Sequence, residues 1–224
     1  MKFTDWGIID YKEAWDKQNE IFTHLINEKK TSDYFNKTDR LQQIIFCEHP
    51  HVYTLGRNGN ISNMLIQDDR LKALNATYYK TDRGGDITYH GFGQIVVYPI
   101  LDLDALHISL RQYVCYLEEA VIRTLLHYNL KAERAEGATG VWFDYNLPSA
   151  RKICAIGVRA SHYITMHGLA FNVSTDMAYY NYINPCGFID KGVTSLEKEL
   201  GKPVDMEEVK KFLKSELGKL LQIQ

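Results

Sequence analysis

No run of about 18 apolar residues occurs anywhere in this 224-residue chain, so nothing in it has the length a membrane-spanning helix needs. The stretch MKFTDWGIIDYKEAWDKQNE carries Asp5, Asp10 and Glu13 where an export signal requires unbroken apolar sequence. Cysteine is sparse. Cys47, Cys115, Cys154 and Cys186 include no C-x-x-C pair, which favours neither a zinc site nor a dense disulfide framework. Positive charge is not in excess either. The formal charge of −2 lacks the basic surplus that general binding to nucleic acid or an anionic membrane demands, although a local basic patch is compatible with it. Internal repeats, low-complexity tracts and flexible linkers are missing as well. The expectation is a cytoplasmic protein with reduced thiols, associated with neither membrane nor nucleic acid.

What is present is an ordinary globular balance, 45% hydrophobic and 24% charged. The length suits a single domain over 1–224, or one domain with a small C-terminal appendage from about residue 195. Apolar spacing predicts a helix over 11–30, with Tyr11, Trp15, Gln18, Phe22 and Leu25 on one stripe. It predicts a second over 104–129, capped by Asp102 or Asp104, with Leu106, Leu110, Val114, Leu117, Val121 and Leu125 recurring. A third is expected over 205–221, where Asp205 and Glu208 are placed like a capping box. Strands are expected around the His49-Pro50 turn in 43–57, and over 76–81, 95–100, 139–143, 152–160 and 163–173. Strands dominate the middle and helices surround them, so the class is α+β.

Five segments carry candidate chemistry. Arg83 to Gln94, RGGDITYHGFGQ, gathers four glycines among polar and aromatic residues. Glycine lets backbone approach a ligand closely, but a glycine-rich hairpin fits the composition equally well. The segment lacks the spacing of a P-loop and its Gly-Lys-Ser/Thr ending. His90 and His167 titrate in the right range for acid–base work, yet a histidine among apolar strand residues is more often a structural donor. His49 and His51 flank a proline without the third and fourth ligands a metal needs. Asn184-Pro185-Cys186-Gly187 holds a thiol in a constrained turn at an element end, which strengthens the case for a nucleophile without making it the favoured reading. Such a thiol needs an activator, and Lys152, at the head of the apolar strand KICAIGV, is one candidate. Its ordinary alternative is a strand-end charge. Periodicity does not bring Lys152 and Cys186 together.

Taken in order, the blocks EHPHVYTLGR (48–57), RGGDITYHGFGQ (83–94), RKICAIGV (151–158), HGLAFNV (167–173), INPCG (183–187) and VTSL (193–196) resemble the lipoyl(octanoyl) transferase family. The resemblance implies a mixed β-sheet flanked by helices, the fold shared with lipoate and biotin protein ligases. It implies that Cys186 is the nucleophile forming an acyl-thioester and that Lys152 lowers its pKa and moves protons. It implies an acyl-substrate pocket lined by Arg83, Gly84, Gly85, Asp86, Ile87, Thr88, Tyr89 and His90, by Ala155, Ile156 and Gly157, and by Gly168, Leu169 and Ala170. The implied donor is octanoyl-acyl carrier protein. The implied acceptors are the lipoyl domains of 2-oxoacid dehydrogenases and the glycine cleavage H protein. No cofactor or metal is implied, and a monomer is expected. Two positions depart from the family's pattern: Phe92 stands where proline is usual, and Cys154 where alanine is more common. The ring of Phe92 is expected to reshape the pocket mouth. If 151–158 is a regular strand, Cys154 faces the same way as Lys152. The competing readings are an ATP-dependent lipoate or biotin protein ligase, a catalytically inactive binder of acyl carrier protein or lipoyl domains, and a cysteine hydrolase.

Overall fold

A computed structural model describes residues 1–31, 41–185 and 191–222. The large sheet runs β1 (Lys2–Ile8), β2 (Gln43–Glu48), β6 (Gln94–Ile100), β10 (Ile164–Asn172), β9 (Arg151–Ser161), β8 (Val141–Phe143) and β7 (Glu133–Arg134), with the short β11 (Gly192–Val193) beside β9. It is mixed: β1 lies parallel to β2 and β11 parallel to β9, while the other neighbours are antiparallel. The turn at His49-Pro50 carries the chain out of this sheet into a small one, β4 (Thr77–Lys80), β3 (Val52–Leu55) and β5 (Ile87–His90). The mixed sheet with flanking helices expected from the sequence is the fold observed.

Helix α1 (Tyr11–Glu28) begins where the Asp10 carboxylate accepts the N–H groups of Lys12 and Glu13 at 2.8 and 3.1 Å, satisfying donors left open by the first turn. Its buried residues are Tyr11, Ala14, Gln18, Phe22 and Leu25, the spacing of one helical face. That face lies on β10 and β6. Phe22 and Leu25 are fully enclosed there, and burial of such side chains contributes roughly 1.5–3 kcal/mol apiece. On β6, Val96 and Tyr98 turn toward α1, whereas Ile95 and Val97 turn to the opposite core.

That opposite core is covered by α3 (Leu110–Leu126) and α5 (Met206–Leu220), with the short α4 (Leu196–Leu200) packed at its side, whereas the short α2 (Asp68–Ala73) lies against the small sheet. Leu196, Val209, Leu213 and Leu217 join Tyr113, Leu117 and Val121 in one hydrophobic cluster with the sheet. Helix α3 starts six residues later than its periodicity predicts. His107 holds a left-handed backbone, φ 53°, which interrupts the helix. The cap is Ser109, whose hydroxyl accepts the Gln112 N–H at 3.2 Å while the Gln112 side chain accepts the Ser109 N–H at 2.9 Å. Asp102 instead pairs with Lys29 at 2.8 Å, and Leu110, expected inside, is 42% exposed. At α5 the cap is Asp205, which accepts the Glu207 N–H. The expected partner Glu208 accepts the Tyr128 hydroxyl.

Candidate active site

Between the two sheets, beside α1, lies a cavity of about 370 Å³, a size typical of small-molecule pockets. Its base is the register Ala155↔Ala170 and Gly157↔Gly168 on β9 and β10, where small residues leave a trough. Two of these admit no side chain. A Cβ on Gly157 would stand 2.8 Å from the Gly84 carbonyl oxygen, and one on Gly168 would stand 2.0 Å from that of Val97. The facing wall is the glycine-rich loop and β5. Arg83 is buried beneath that loop and donates to Thr54 O at 2.6 Å, Asp86 O at 2.7 Å and Gly84 O at 2.9 Å. Its guanidinium thus holds the loop's carbonyls in place from inside.

Segments far apart in the chain meet here. Arg83, Gly85, Asp86, Ile87, Thr88 and His90 line the cavity, as do Ala155, Ile156 and Gly157 and, from β10, Gly168, Leu169 and Ala170. Lys152 lines it as well, with Nζ donating to Thr139 O at 3.2 Å and standing 4.6 Å above the Trp142 ring. Cys186 lies outside the described residues. Pro185, the described residue just before it, lines the cavity, as does Val193 seven residues beyond it, which pairs with Lys152 in the β11–β9 ladder.

Gly84 and Tyr89 are not lining residues. The Gly84 N–H donates to Val158 O at 2.9 Å, fastening the loop to β9. Tyr89 turns to the other face of β5, since neighbouring strand side chains alternate. There its hydroxyl meets His51 Nδ1 at 2.7 Å and its ring stacks on Tyr179 at 5.0 Å. Phe92 is also away from the cavity, 46% exposed and edge-on to His51 at 5.2 Å. The expectation that Cys154 shares a direction with Lys152 is overturned by a bulge. Val141 pairs with Cys154 but Trp142 pairs with Lys152, so Ile153 is an extra residue and strict alternation is lost. Cys154 is fully buried in the core shared with α3, and burial pushes its thiol pKa up.

Among the described residues no group of three His, Cys, Asp or Glu side chains is arranged to hold a metal. The histidines serve other bonds. His49 donates from Nδ1 to Ile9 O at 2.8 Å and accepts the Tyr98 hydroxyl on Nε2 at 2.7 Å. His90 donates from Nδ1 to Gln94 Oε1 at 2.8 Å, and its ring lies parallel to Tyr11. His167 occupies a left-handed backbone, φ 59°, inside β10, an arrangement that a side chain adopts only when its surroundings enforce it. There Nε2 donates to Asp82 at 2.8 Å and the backbone N–H donates to Gln18 Oε1 at 3.0 Å. The His167 bond, aided by Arg159, holds the Asp82 carboxyl below its usual range.

Burial lowers the pKa of all three: His49 from 6.5 to about 4, His90 well below its usual value, His167 in the same direction. Each is therefore neutral in the fold and takes up a proton more readily once unfolded. Their contribution to stability is whole above pH 6.5 and is lost as the pH falls toward the folded values. For His49 alone the loss by pH 4 is about 3 kcal/mol. Urea unfolding is expected to show a markedly lower midpoint at pH 4.5 than at pH 7.5. Equal midpoints would contradict the neutral assignment.

Several lining residues had no signal in the sequence. Tyr11 reads as one member of an amphipathic stripe and Tyr98 as part of an apolar strand, yet both face the cavity. Glu118 reads as a surface charge of α3. It is buried, accepts the Gly140 N–H at 3.0 Å and so fixes the 137–140 segment that borders Lys152. Burial raises its pKa, with the charges of Arg134 and Lys152 pulling the other way.

Residues 10–218 match the lipoyl protein ligase A/B catalytic domain family. The octanoyltransferase of Bacteroides thetaiotaomicron is 58% identical over 217 residues, covering 97% of this chain and 93% of that protein. Among solved structures, a bi-partite lipoate protein ligase from Thermoplasma acidophilum superposes with a TM-score of 0.72 at 14% identity, over 100% of this chain and 84% of that one. The biotin protein ligase of Aquifex aeolicus gives a TM-score of 0.51 at 12% identity, over 99% of this chain and 69% of that one. At those identities the likeness is one of fold.

Proposed function

The chain belongs to the octanoyltransferases of the lipoyl protein ligase A/B catalytic domain family, and from that premise we propose that it moves an octanoyl group from acyl carrier protein to a lysine of a lipoyl domain through a thioester on Cys186. One observation carries this reading. Blocks scattered from residue 83 to residue 193 converge on a single cavity lined by Lys152, by Pro185 immediately before Cys186, and by Val193. The cavity has a trough of glycine and alanine, as an unbranched acyl chain requires, and a lysine amine in its wall.

In the first step the Cys186 thiolate attacks the octanoyl thioester carbonyl of the donor and the carrier's pantetheine thiolate leaves with a proton. One thioester replaces another, so the step is nearly isoenergetic. In the second, the acceptor lysine amine attacks acyl-Cys186, giving an amide and returning the thiol. Amide formation from a thioester runs downhill and draws on no nucleotide. Lys152 serves both halves: its positive charge favours the thiolate, and when neutral it takes the proton of the incoming amine. Moving the thiol from about 8.5 to about 7 would stabilise the thiolate by roughly 2 kcal/mol.

The test is octanoyl transfer to an isolated lipoyl domain from octanoyl-acyl carrier protein without ATP, read as an octanoyl mass on the domain. Transfer is expected to proceed under those conditions. Transfer that appears only with ATP and free acid would make the chain a ligase. Complex formation without transfer would make it a binder, and release of free octanoate without an acceptor a hydrolase.

A further inference from the structure

The cavity is closed at the end remote from Lys152. From Ala155 the register steps to Ala170 on β10 and then to Val96 on β6, two strand spacings across the sheet, while Lys152 lies three residues back along β9. With neighbouring strands ~4.8 Å apart and a rise of ~3.3 Å per residue, the Val96 backbone stands roughly 14 Å from that of Lys152. Val96, Tyr98 and Tyr11 line this far end and are 1%, 3% and 2% exposed. The lining residues Asn58, Gly85, Gly137 and Thr139 are exposed and mark the open side.

The closed end is also rigid. The Tyr98 hydroxyl is held by His49, which is itself held by the Ile9 carbonyl. The Tyr11 ring stacks on His90 at 5.8 Å and on Tyr79 at 5.7 Å. Val96 is fixed mid-strand between Ala170 and Cys47. For a longer chain to enter, a buried hydrogen bond or a ring stack must break, and a close-packed wall does not yield gradually. Such a stop is a physical necessity in an acyl site. Each added methylene strengthens binding about fourfold when buried, so burial alone favours longer chains and only a wall rejects them.

We propose that Tyr11, Val96 and Tyr98 set the length of the acyl chain, with Val96 facing its terminal carbons; this rests on reading the cavity as the acyl pocket. The experiment uses the full chain and its variants Val96→Ala and Val96→Met, each checked for folding by circular dichroism. Loading rates from acyl-acyl carrier proteins of six to fourteen carbons are measured by intact mass. In parallel, free fatty acids of the same lengths are scored by the rise in thermal midpoint, a readout that needs no catalysis. The wild type is expected to peak at eight carbons and to fall at least tenfold beyond its limit, where burial alone would instead strengthen binding about fourfold with each added methylene. Val96→Ala should move the optimum longer by about two carbons, the space of the methyls removed, and Val96→Met should move it shorter. Folded variants that share the wild-type profile in both readouts overturn the proposal and leave acyl transfer standing. Should the wild type load no chain of any length, acyl transfer falls instead, and the fatty-acid profiles alone decide whether these residues measure length. Because the two substitutions act in opposite directions, either one that folds is sufficient.

Discussion

Cys186→Ser is expected to leave no octanoyl mass on the protein after mixing with octanoyl-acyl carrier protein, and to lower transfer by about a thousandfold or more. A serine hydroxyl has nearly the same shape but holds its proton far more tightly, so the anion that begins the reaction is scarcely populated. Cys154 is the necessary control. It is the cysteine nearest Lys152 in sequence, yet it is buried, packed against Val141 and Ile153, and its thiol is driven toward the neutral form. Cys154→Ala should therefore load at close to the wild-type rate. Label that persists in Cys186→Ser, or that maps to Cys154, would remove Cys186 from its proposed role.

Lys152→Ala should slow both loading and transfer by about 10²–10⁴-fold, the range associated with a positioned acid–base group. Part of any loss has a structural source, because the amine also stands over Trp142 and bonds Thr139 at the edge of the cavity. Urea midpoints of the variant separate that part, since a cation–π contact of this kind contributes about 1–2 kcal/mol. Lys152→Arg sharpens the distinction. A guanidinium keeps the charge that favours a thiolate but does not give up its proton, so loading should survive better than transfer to the acceptor amine. Normal single-turnover rates for both steps in Lys152→Ala would exclude the lysine from the chemistry.

Periodicity alone recovers most of the elements, because amphipathic helices such as α1 and buried strands such as β6 announce their faces through composition. It misplaces the start of α3, where the deciding events are a left-handed His107 and a reciprocal Ser109–Gln112 cap, both local and neither hydrophobic. It also misjudges Cys154, because one bulged residue in β9 inverts a parity argument, and bulges leave no mark on a period of two. The glycine-rich loop, the Gly157 and Gly168 trough and Lys152 were legible as an ordered set of motifs. Their convergence was not, since it depends on strand order. The residues that close the cavity were hidden for a different reason. Tyr11 and Val96 are what any packed helix or strand contains, and only the position of the empty space beside them gives them a task.

The same topology bears on synthesis. The chamber's walls run from Tyr11 on α1 to Val193 on β11, so its first and last staves are 182 residues apart in the order they leave the ribosome (193 minus 11). Contacts of such long sequence separation form late. A nascent or prematurely terminated chain ending before β11 therefore carries the glycine-rich loop while the last wall of its chamber is still missing.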